Sequence, residues 1–318
     1  MQRIDVFNGD ADGICALHQL RLADPADTVL VTGPKRDIAL VARVDAQAGD
    51  EVTVLDVSLD RNRAALEGLL ARGVRVRWFD HHFPGAIPSH PLFEPHIETA
   101  ADVCTSLLVD RHVAGRYRAW AVVAAFGDNL TQEAEAQAIP LGLDGPSLDR
   151  LRDLGESMNY AAYGETEADL LIPPAELYRL ISPYANPLEF IAHERVAAQL
   201  DEGRHADLAA AAAVPPHRAS KFSAIYLLPD KPWARRVIGA FANRLAAADR
   251  YRAYAVAVPN SQGGYTVSVR APGAGPRSAD ALCRDYPTGG GRAAAAGIDH
   301  LPPERLEEFI ARLEVSAI

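Results

Sequence analysis

A chain of 318 residues that is 48% hydrophobic and 23% charged carries enough apolar residues for a sizeable core, which excludes disorder, and its length favours two domains over one. The net charge of −10 excludes a basic nucleic-acid coat protein, and no apolar run reaches the roughly 18 residues that a membrane span requires. Three widely separated cysteines, Cys15, Cys104 and Cys283, offer neither a disulfide framework nor a thiolate zinc site, and the opening MQRIDVFNGDADG has no apolar leader, so a cytoplasmic protein is expected.

The first 130 residues alternate in type. Arg3–Phe7 is a short β-favouring run, and Gly13–Leu22 has apolar residues at helical spacing. Thr28–Thr32 is a second apolar run, followed by a helical pattern over Asp37–Val44. Val52–Leu55 is a third strand, Arg61–Arg72 a helix stopped by Gly73, and Val74–Phe79 alternates with period two. Strands separated by single helices predict right-handed βαβ crossovers and a mostly parallel sheet. Helical patterns follow at Val103–His112, Tyr117–Phe126 and Thr131–Ala138. The Ala-rich, charged stretch Pro187–Ala213 reads as one long connecting helix ended by Val214-Pro215-Pro216. Alternation resumes with strand Phe222–Leu228, helix Trp233–Ala247 and strands Tyr254–Val258 and Tyr265–Arg270, the last two joined by a Ser261-Gln262-Gly263-Gly264 hairpin turn. Helices at Ser278–Asp285 and Pro303–Leu313 flank a glycine cluster. The predicted fold class is α/β: a mostly parallel N-terminal sheet flanked by helices (1–186), a helical connector (187–218) and a smaller α/β C-terminal domain (219–318). Charge divides along the same line. Residues 221–318 carry 13 basic and 9 acidic side chains, and the preceding 220 carry 19 basic and 33 acidic. This suits a cation site facing an anion-holding module, and equally an uneven surface.

In open α/β sheets, ligands gather beyond the carboxyl ends of parallel strands. Here the first strand runs into Asn8-Gly9-Asp10-Ala11-Asp12-Gly13, the third ends at Asp56, and the fourth at Asp80-His81-His82, while Asp128 follows a helix in AFGDN. Crowded carboxylates repel unless a cation compensates them. Oxygen ligands with an imidazole suit Mn²⁺ or Mg²⁺. Two such ions can activate a water and clamp a phosphate. Singly, each acid has a plainer reading: Asp12 or Asp80 as a helix N-cap, and the histidine pair as a packing feature. Thr105 and Ser106 start a helix whose N-terminus either assists an anion or is routinely capped. His90 and His96 flank prolines in a loop after the histidine pair. Lys35 and Arg36 follow the second strand, as phosphate contacts or solvated surface charge.

The order GDADG, LD, FDHH, GDN resembles the DHH phosphoesterase superfamily. VSVRAPG (Val267–Gly273) and YPTGGGRAAAAGI (Tyr286–Ile298) resemble its associated C-terminal substrate domain. The resemblance implies two Mn²⁺ ions, with Mg²⁺ as an alternative. Asp10 would ligate one ion and Asp12 the other, Asp56 would bridge them, and His81 and Asp128 would complete the second site. His82 would contact the scissile phosphate, with Asp80 orienting the histidines. Gly289, Gly290 and Gly291 would offer backbone N–H groups to phosphate ahead of an Ala-rich helix, with Arg270 and Arg292 as cationic partners; Asn8, Lys35 and Arg36 are the substrate-side candidates in the first domain. Two positions depart from the pattern. Val6 stands where relatives carry a histidine four residues before the first motif aspartate, which weakens the first metal site, and Arg292 replaces a histidine at the end of the glycine motif. The expected activity is hydrolysis of a short oligonucleotide, dinucleotide or nucleotide phosphate, without long-duplex or membrane binding and with a homodimer allowed; a catalytically weakened nucleotide sensor of the same fold is the alternative. A metal-free α/β binding protein, its acids serving as helix caps, stands outside the family.

Overall fold

The computed structural model describes residues 1–272 and 278–316, so Gly273 of the VSVRAPG motif lies outside the described residues. The chain divides into two compact units, Met1–Gly203 and Arg204–Ile318.

The first unit opens with β1 (Arg3–Phe7), α1 (Ala11–Ala23), β2 (Val29–Val31), β3 (Glu51–Leu55), α2 (Leu59–Ala71), β4 (Arg75–Asp80) and β5 (Phe93–Ile97). The sheet has the order β2-β1-β3-β4-β5 and every pair is parallel. The chain steps outward from β1 to β2, then returns past β1 to β3, so the topological switch point lies between β1 and β3. Register makes that edge flush: Phe7 pairs with Leu55, and Leu55 with Phe79. Asn8 and Asp56 continue the ladder, their N–H groups donating to Leu55 O (3.2 Å) and Phe79 O (3.0 Å).

Period-two alternation gives the sheet two apolar faces. Ile4, Val6, Val52, Val54, Val76 and Trp78 pack on one side with α2 and the turn around Leu40 and Val41. Phe7, Leu55 and Phe79 face the other, against α1, α3 (Thr105–His112) and α4 (Arg118–Gly127). The helical remainder comprises α5 (Thr131–Ala138), α6 (Gly145–Ala161), α7 (Pro174–Ile181), α8 (Pro187–His193) and α9 (Arg195–Ala212), the last crossing the border between units. α4 and α6 cross at paired glycines. A Cβ on Gly155 would lie 2.1 Å from Val123 O, and one on Gly127 would meet Gly155 O at 2.8 Å and the Ala11 Cβ at 2.6 Å. This close approach presses the end of α4 against the start of α1.

The second unit contains β6 (Arg218–Ala219), β7 (Ser223–Leu227), α10 (Pro232–Ala248), β8 (Ala253–Pro259), β9 (Tyr265–Arg270), α11 (Ala279–Cys283), β10 (Gly289–Gly291), β11 (Ala295–Leu301) and α12 (Leu306–Ser316). Its sheet runs β10-β11-β9-β8-β7-β6, antiparallel except for β7 with β8.

Four elements differ from the sequence reading. Asp37–Val44 holds only a short 3₁₀ turn, Leu40–Arg43. Pro187–Ala213 is two helices, broken at Glu194, whose backbone is extended. The segment holding His90 and His96 contains β5, an edge strand that tolerates Pro95 because its outer side needs no N–H. The Ala-rich segment after Arg292 is the strand β11, paired with both β9 and β10, not a helix.

Buried polar groups lock α1 in place. Arg21 grips Asp5 with both Nε (2.8 Å) and Nη2 (2.6 Å). His18, 1% exposed, lies within hydrogen-bond distance of Tyr184 O through Nε2 (2.8 Å), and Trp120 Nε1 donates to the same oxygen (3.1 Å). Burial pushes the His18 imidazole down to about 4, against a weaker upward pull from that carbonyl. The unfolded chain, titrating near 6.5, therefore binds more protons between these values. His18 should support the fold fully above pH 6.5 and lose roughly 3 kcal/mol of that support as pH falls to about 4. Urea unfolding of His18→Gln and wild type across this range should give curves that converge at acid pH; parallel curves would refute this account.

Candidate metal centre

The acids at the sheet edge are held in different ways. Asp10 is the N-cap of α1, its Oδ1 accepting the N–H groups of Asp12 (3.0 Å) and Gly13 (3.1 Å). Asp12 therefore is not a cap of its own helix. Its carboxylate meets the start of α3, where Oδ2 accepts Thr105 N–H (2.8 Å) and Oδ1 accepts Ser106 N–H (2.7 Å). Ser106 Oγ donates to Asp12 O (2.8 Å). The α3 N-terminus, for which the sequence allowed either assistance to a bound anion or routine capping, holds an anion belonging to the protein, where its partial positive charge favours one.

Asp56 leaves β3 with φ of 56°, a left-handed conformation uncommon for a residue with a Cβ. Such a conformation costs of order 1–3 kcal/mol and clusters at functional sites. Thr105 Oγ1 donates to Asp56 Oδ1 (3.3 Å). Asp80, at the end of β4, starts no helix, which removes the N-cap reading. Its Oδ1 accepts His81 N–H (2.9 Å) and lies 2.7 Å from His82 Nδ1, while its buried Oδ2 has no hydrogen-bond partner. Asp128 is the C-cap of α4, delivered by the Gly127–Gly155 crossing.

These side chains meet around one ring nitrogen. His81 Nε2 lies 3.4 Å from Asp56 Oδ1, 3.9 Å from Asp128 Oδ2 and 4.0 Å from Asp12 Oδ2. His82 Nδ1 is 3.9 Å from the same Asp56 oxygen. Two overlapping sets of ligand atoms result, Asp12/His81/Asp128 and Asp56/His81/His82, each within 4.8 Å. Asp10 belongs to neither set. Its Oδ2 is 2.6 Å from Lys35 Nζ, which also donates to Asn159 Oδ1 (2.8 Å) and lies 3.8 Å from Asp128 Oδ1.

Electrostatics show how short of positive charge the cluster is. Burial, reinforced by the charges of Asp10 and Asp12, raises the Asp56 carboxyl well above the usual range. Burial and Asp12 push Asp128 up to about 6 despite Lys35. Burial opposes charge on His81, yet its bond to Asp56 and the surrounding carboxylates push it up to about 10. Asp10 alone goes down, because Lys35 and the Gly13 amide outweigh its burial. Groups whose proton affinity is raised by neighbouring carboxylates are ligands short of a cation, and a metal would displace their protons. Two overlapping sets that combine carboxylate oxygens with imidazole nitrogen fit Mn²⁺ or Mg²⁺.

The other candidates lie elsewhere. Asn8 shapes the loop, its Oδ1 accepting Asp10 N–H (3.3 Å), and Arg36 is exposed. His90 Nδ1 accepts Leu92 N–H (3.2 Å); His96 stacks on Phe79 at 4.3 Å and lies 2.7 Å from Glu94. Neither joins a converging ligand set among the described residues. Arg270, Gly289, Gly290, Gly291 and Arg292 all belong to the second unit. Arg270 donates to Asn243 Oδ1 (2.6 Å) and Ser268 Oγ (3.0 Å). The three glycines form β10 rather than a loop before a helix. Gly289 is needed there because a Cβ would lie 1.8 Å from Cys283 O. Arg292 is exposed, its N–H turned to Ala295 O (2.8 Å). Asn159 and the Tyr163 ring, 5.8 Å from Lys35 Nζ, went unread. Both come from the helical stretch without motifs, and no local signal marks them.

No protein-family model matches this sequence, and no curated protein matches it. Solved structures do. Exonuclease RecJ bound to manganese superposes with a TM-score of 0.65 at 20% identity, covering 99% of this chain and 90% of that one. RecJ from Thermus thermophilus in complex with Mn²⁺ gives 0.64 at 19%, covering 99% of this chain, which spans only 52% of that RecJ. The pGpG-specific phosphodiesterase PggH from Vibrio cholerae gives 0.53 at 13%, with 99% and 100% covered. The chain therefore shares the fold of these structures.

Asp56→Asn tests the centre. It removes an ionisable carboxyl facing Asp10 and Asp12, and asparagine tolerates a left-handed backbone. The metal-free variant should melt at or above the wild-type temperature, while the rise in Tm that Mn²⁺ gives the wild type should vanish. A variant that melts lower yet still responds to Mn²⁺ would contradict this assignment.

Proposed function

We propose that this protein is a divalent-metal-dependent phosphoesterase that hydrolyses short oligonucleotides, dinucleotides or nucleotide phosphates. The observation that carries this reading is the convergence of Asp12, Asp56 and Asp128 oxygens on His81 Nε2 at 3.4–4.0 Å, with the Asp80–His82 pair alongside. The fold is shared with the exonuclease RecJ, solved with Mn²⁺ and with Mg²⁺, and with a pGpG-specific phosphodiesterase. When bound, a divalent ion lowers the pKa of a coordinated water and offsets charge on the phosphoryl group. Asp12, Asp56, His81 and Asp128 would hold it. Asp80 fixes the His82 ring through Nδ1, leaving Nε2 to meet a phosphate oxygen or protonate the leaving oxygen. In the same reading the second unit grips the nucleotide, through Arg270, Arg292 and the Gly289–Gly291 strand, and Arg36 adds charge on the first. The acidic overall balance favours small substrates over long duplexes.

The direct test incubates Mn²⁺-loaded protein with linear dinucleotides, short oligomers, 3′,5′-bisphosphates and cyclic dinucleotides, and identifies the products. Release of a mononucleotide or phosphate supports the proposal, whereas nucleotide bound without turnover would mark a sensor instead. Among variants, His82→Ala should lower kcat by about 10²- to 10⁴-fold with metal content unchanged, and Asp56→Ala should cost far more than Asn8→Ala. Equal, mild losses in all three would count against these roles.

A further inference from the structure

We propose that the Lys35 ammonium permanently holds the place of one of the two cations, so that this chain takes a single divalent ion. The inference rests on the metal-dependent reading above and departs from the two ions that the motif resemblance implies. Four observations support it. Both Asp10 oxygens are engaged within the protein, Oδ1 by two α1 amides and Oδ2 by Lys35 at 2.6 Å. The position four residues before Asp10 is Val6, fully buried in the apolar face of β1, and it offers no ligand. The converging donor sets contain Asp12, Asp56, His81, His82 and Asp128 without Asp10. Finally, Lys35 is built in rather than draped over the site. Its N–H donates to Ala162 O (2.9 Å), its ammonium donates to Asn159 Oδ1 (2.8 Å), and the Tyr163 ring lies 5.8 Å away.

The loop carrying Lys35 is clamped to the β1–α1 loop. A Cβ on Gly9 would lie 2.2 Å from Gly33 O and 2.5 Å from the Pro174 ring, so only glycine allows this approach. A second ion on the Lys35-bound Asp10 oxygen, at the ~2.1 Å of a magnesium–oxygen bond, would stand less than about 5 Å from the ammonium, where like charges repel strongly. Lysine and that ion therefore compete for one carboxylate. An ammonium cannot activate water as a metal does, but it supplies fixed positive charge and N–H donors at the same spot.

Elemental analysis and electron paramagnetic resonance test this without reference to turnover. Wild type equilibrated with Mn²⁺ and freed of excess should hold one ion per chain and give the spectrum of isolated Mn²⁺. Lys35→Met, which keeps the stem and removes the charge, should hold two and show a spin-coupled pair. Should that variant not fold, Asp10→Asn gives a second reading: it should still bind one ion. Two ions in the wild type would overturn the proposal. One ion in both wild type and folded Lys35→Met would overturn the assignment to Lys35, as would loss of the ion in Asp10→Asn. No ion in any of them would instead refute the metal reading beneath it.

Discussion

Repulsion among carboxylates at one edge of a parallel sheet is the constraint that organises this molecule. The doubly wound topology brings the ends of β1, β3 and β4 level, and the sequence places an acid after each. The protein relieves the resulting charge unequally. Asp10 receives two amides and an ammonium, Asp12 two amides from α3, and Asp80 an amide N–H and an imidazole. Asp56 and Asp128 receive much less, and they are the carboxyls whose proton affinity rises. Structural partners are thus spent on the acids that shape the loops, and the deficit is concentrated where an external cation would enter. Asp56 also bears the strained backbone of the cluster, so conformational and electrostatic cost fall on the same residue.

That distribution explains why the fold tolerates its own site. An unpaired buried carboxylate is costly, and several together would favour unfolding. The amides at the starts of α1 and α3 cost nothing extra, because the first N–H groups of any helix lack intrahelical partners. Each of these helix starts satisfies its orphan donors and quiets a carboxylate in one contact.

Much of this could be read along the chain, for local reasons. VTVLD and VRVRWFD announce strands by alternation and strand ends by their acids, and those cues need no distant partner. What escaped reading depends on residues far away in sequence. β5, with Pro95 and polar neighbours, has little strand character and exists because β4 offers an open edge. The alanines of β11 favour helix intrinsically, yet pairing with β9 and β10 on both sides overrides that preference. Asp12 reads along the chain as a candidate N-cap, and only the placement of α3 assigns it to the centre and leaves the cap of α1 to Asp10. Lys35 reads along the chain as a phosphate contact or a surface charge, and not as the partner of Asp10, because its acceptor Asn159 is 124 residues distant.

The helical stretch without motifs is consequently more than a spacer. α6 touches the centre from two directions. Gly155 admits α4 closely enough to deliver Asp128, while one turn later Asn159, with Ala162 and Tyr163 just beyond it, anchors Lys35. A single rigid helix thereby fixes both the carboxylate whose proton affinity rises and the cation that neutralises Asp10. Displacing α6 would loosen these two together, whereas Asp12 and Asp56, held by α3 and the strand ends, would keep their partners. The centre accordingly has a sheet-borne half set by local sequence and a helix-borne half set by tertiary packing.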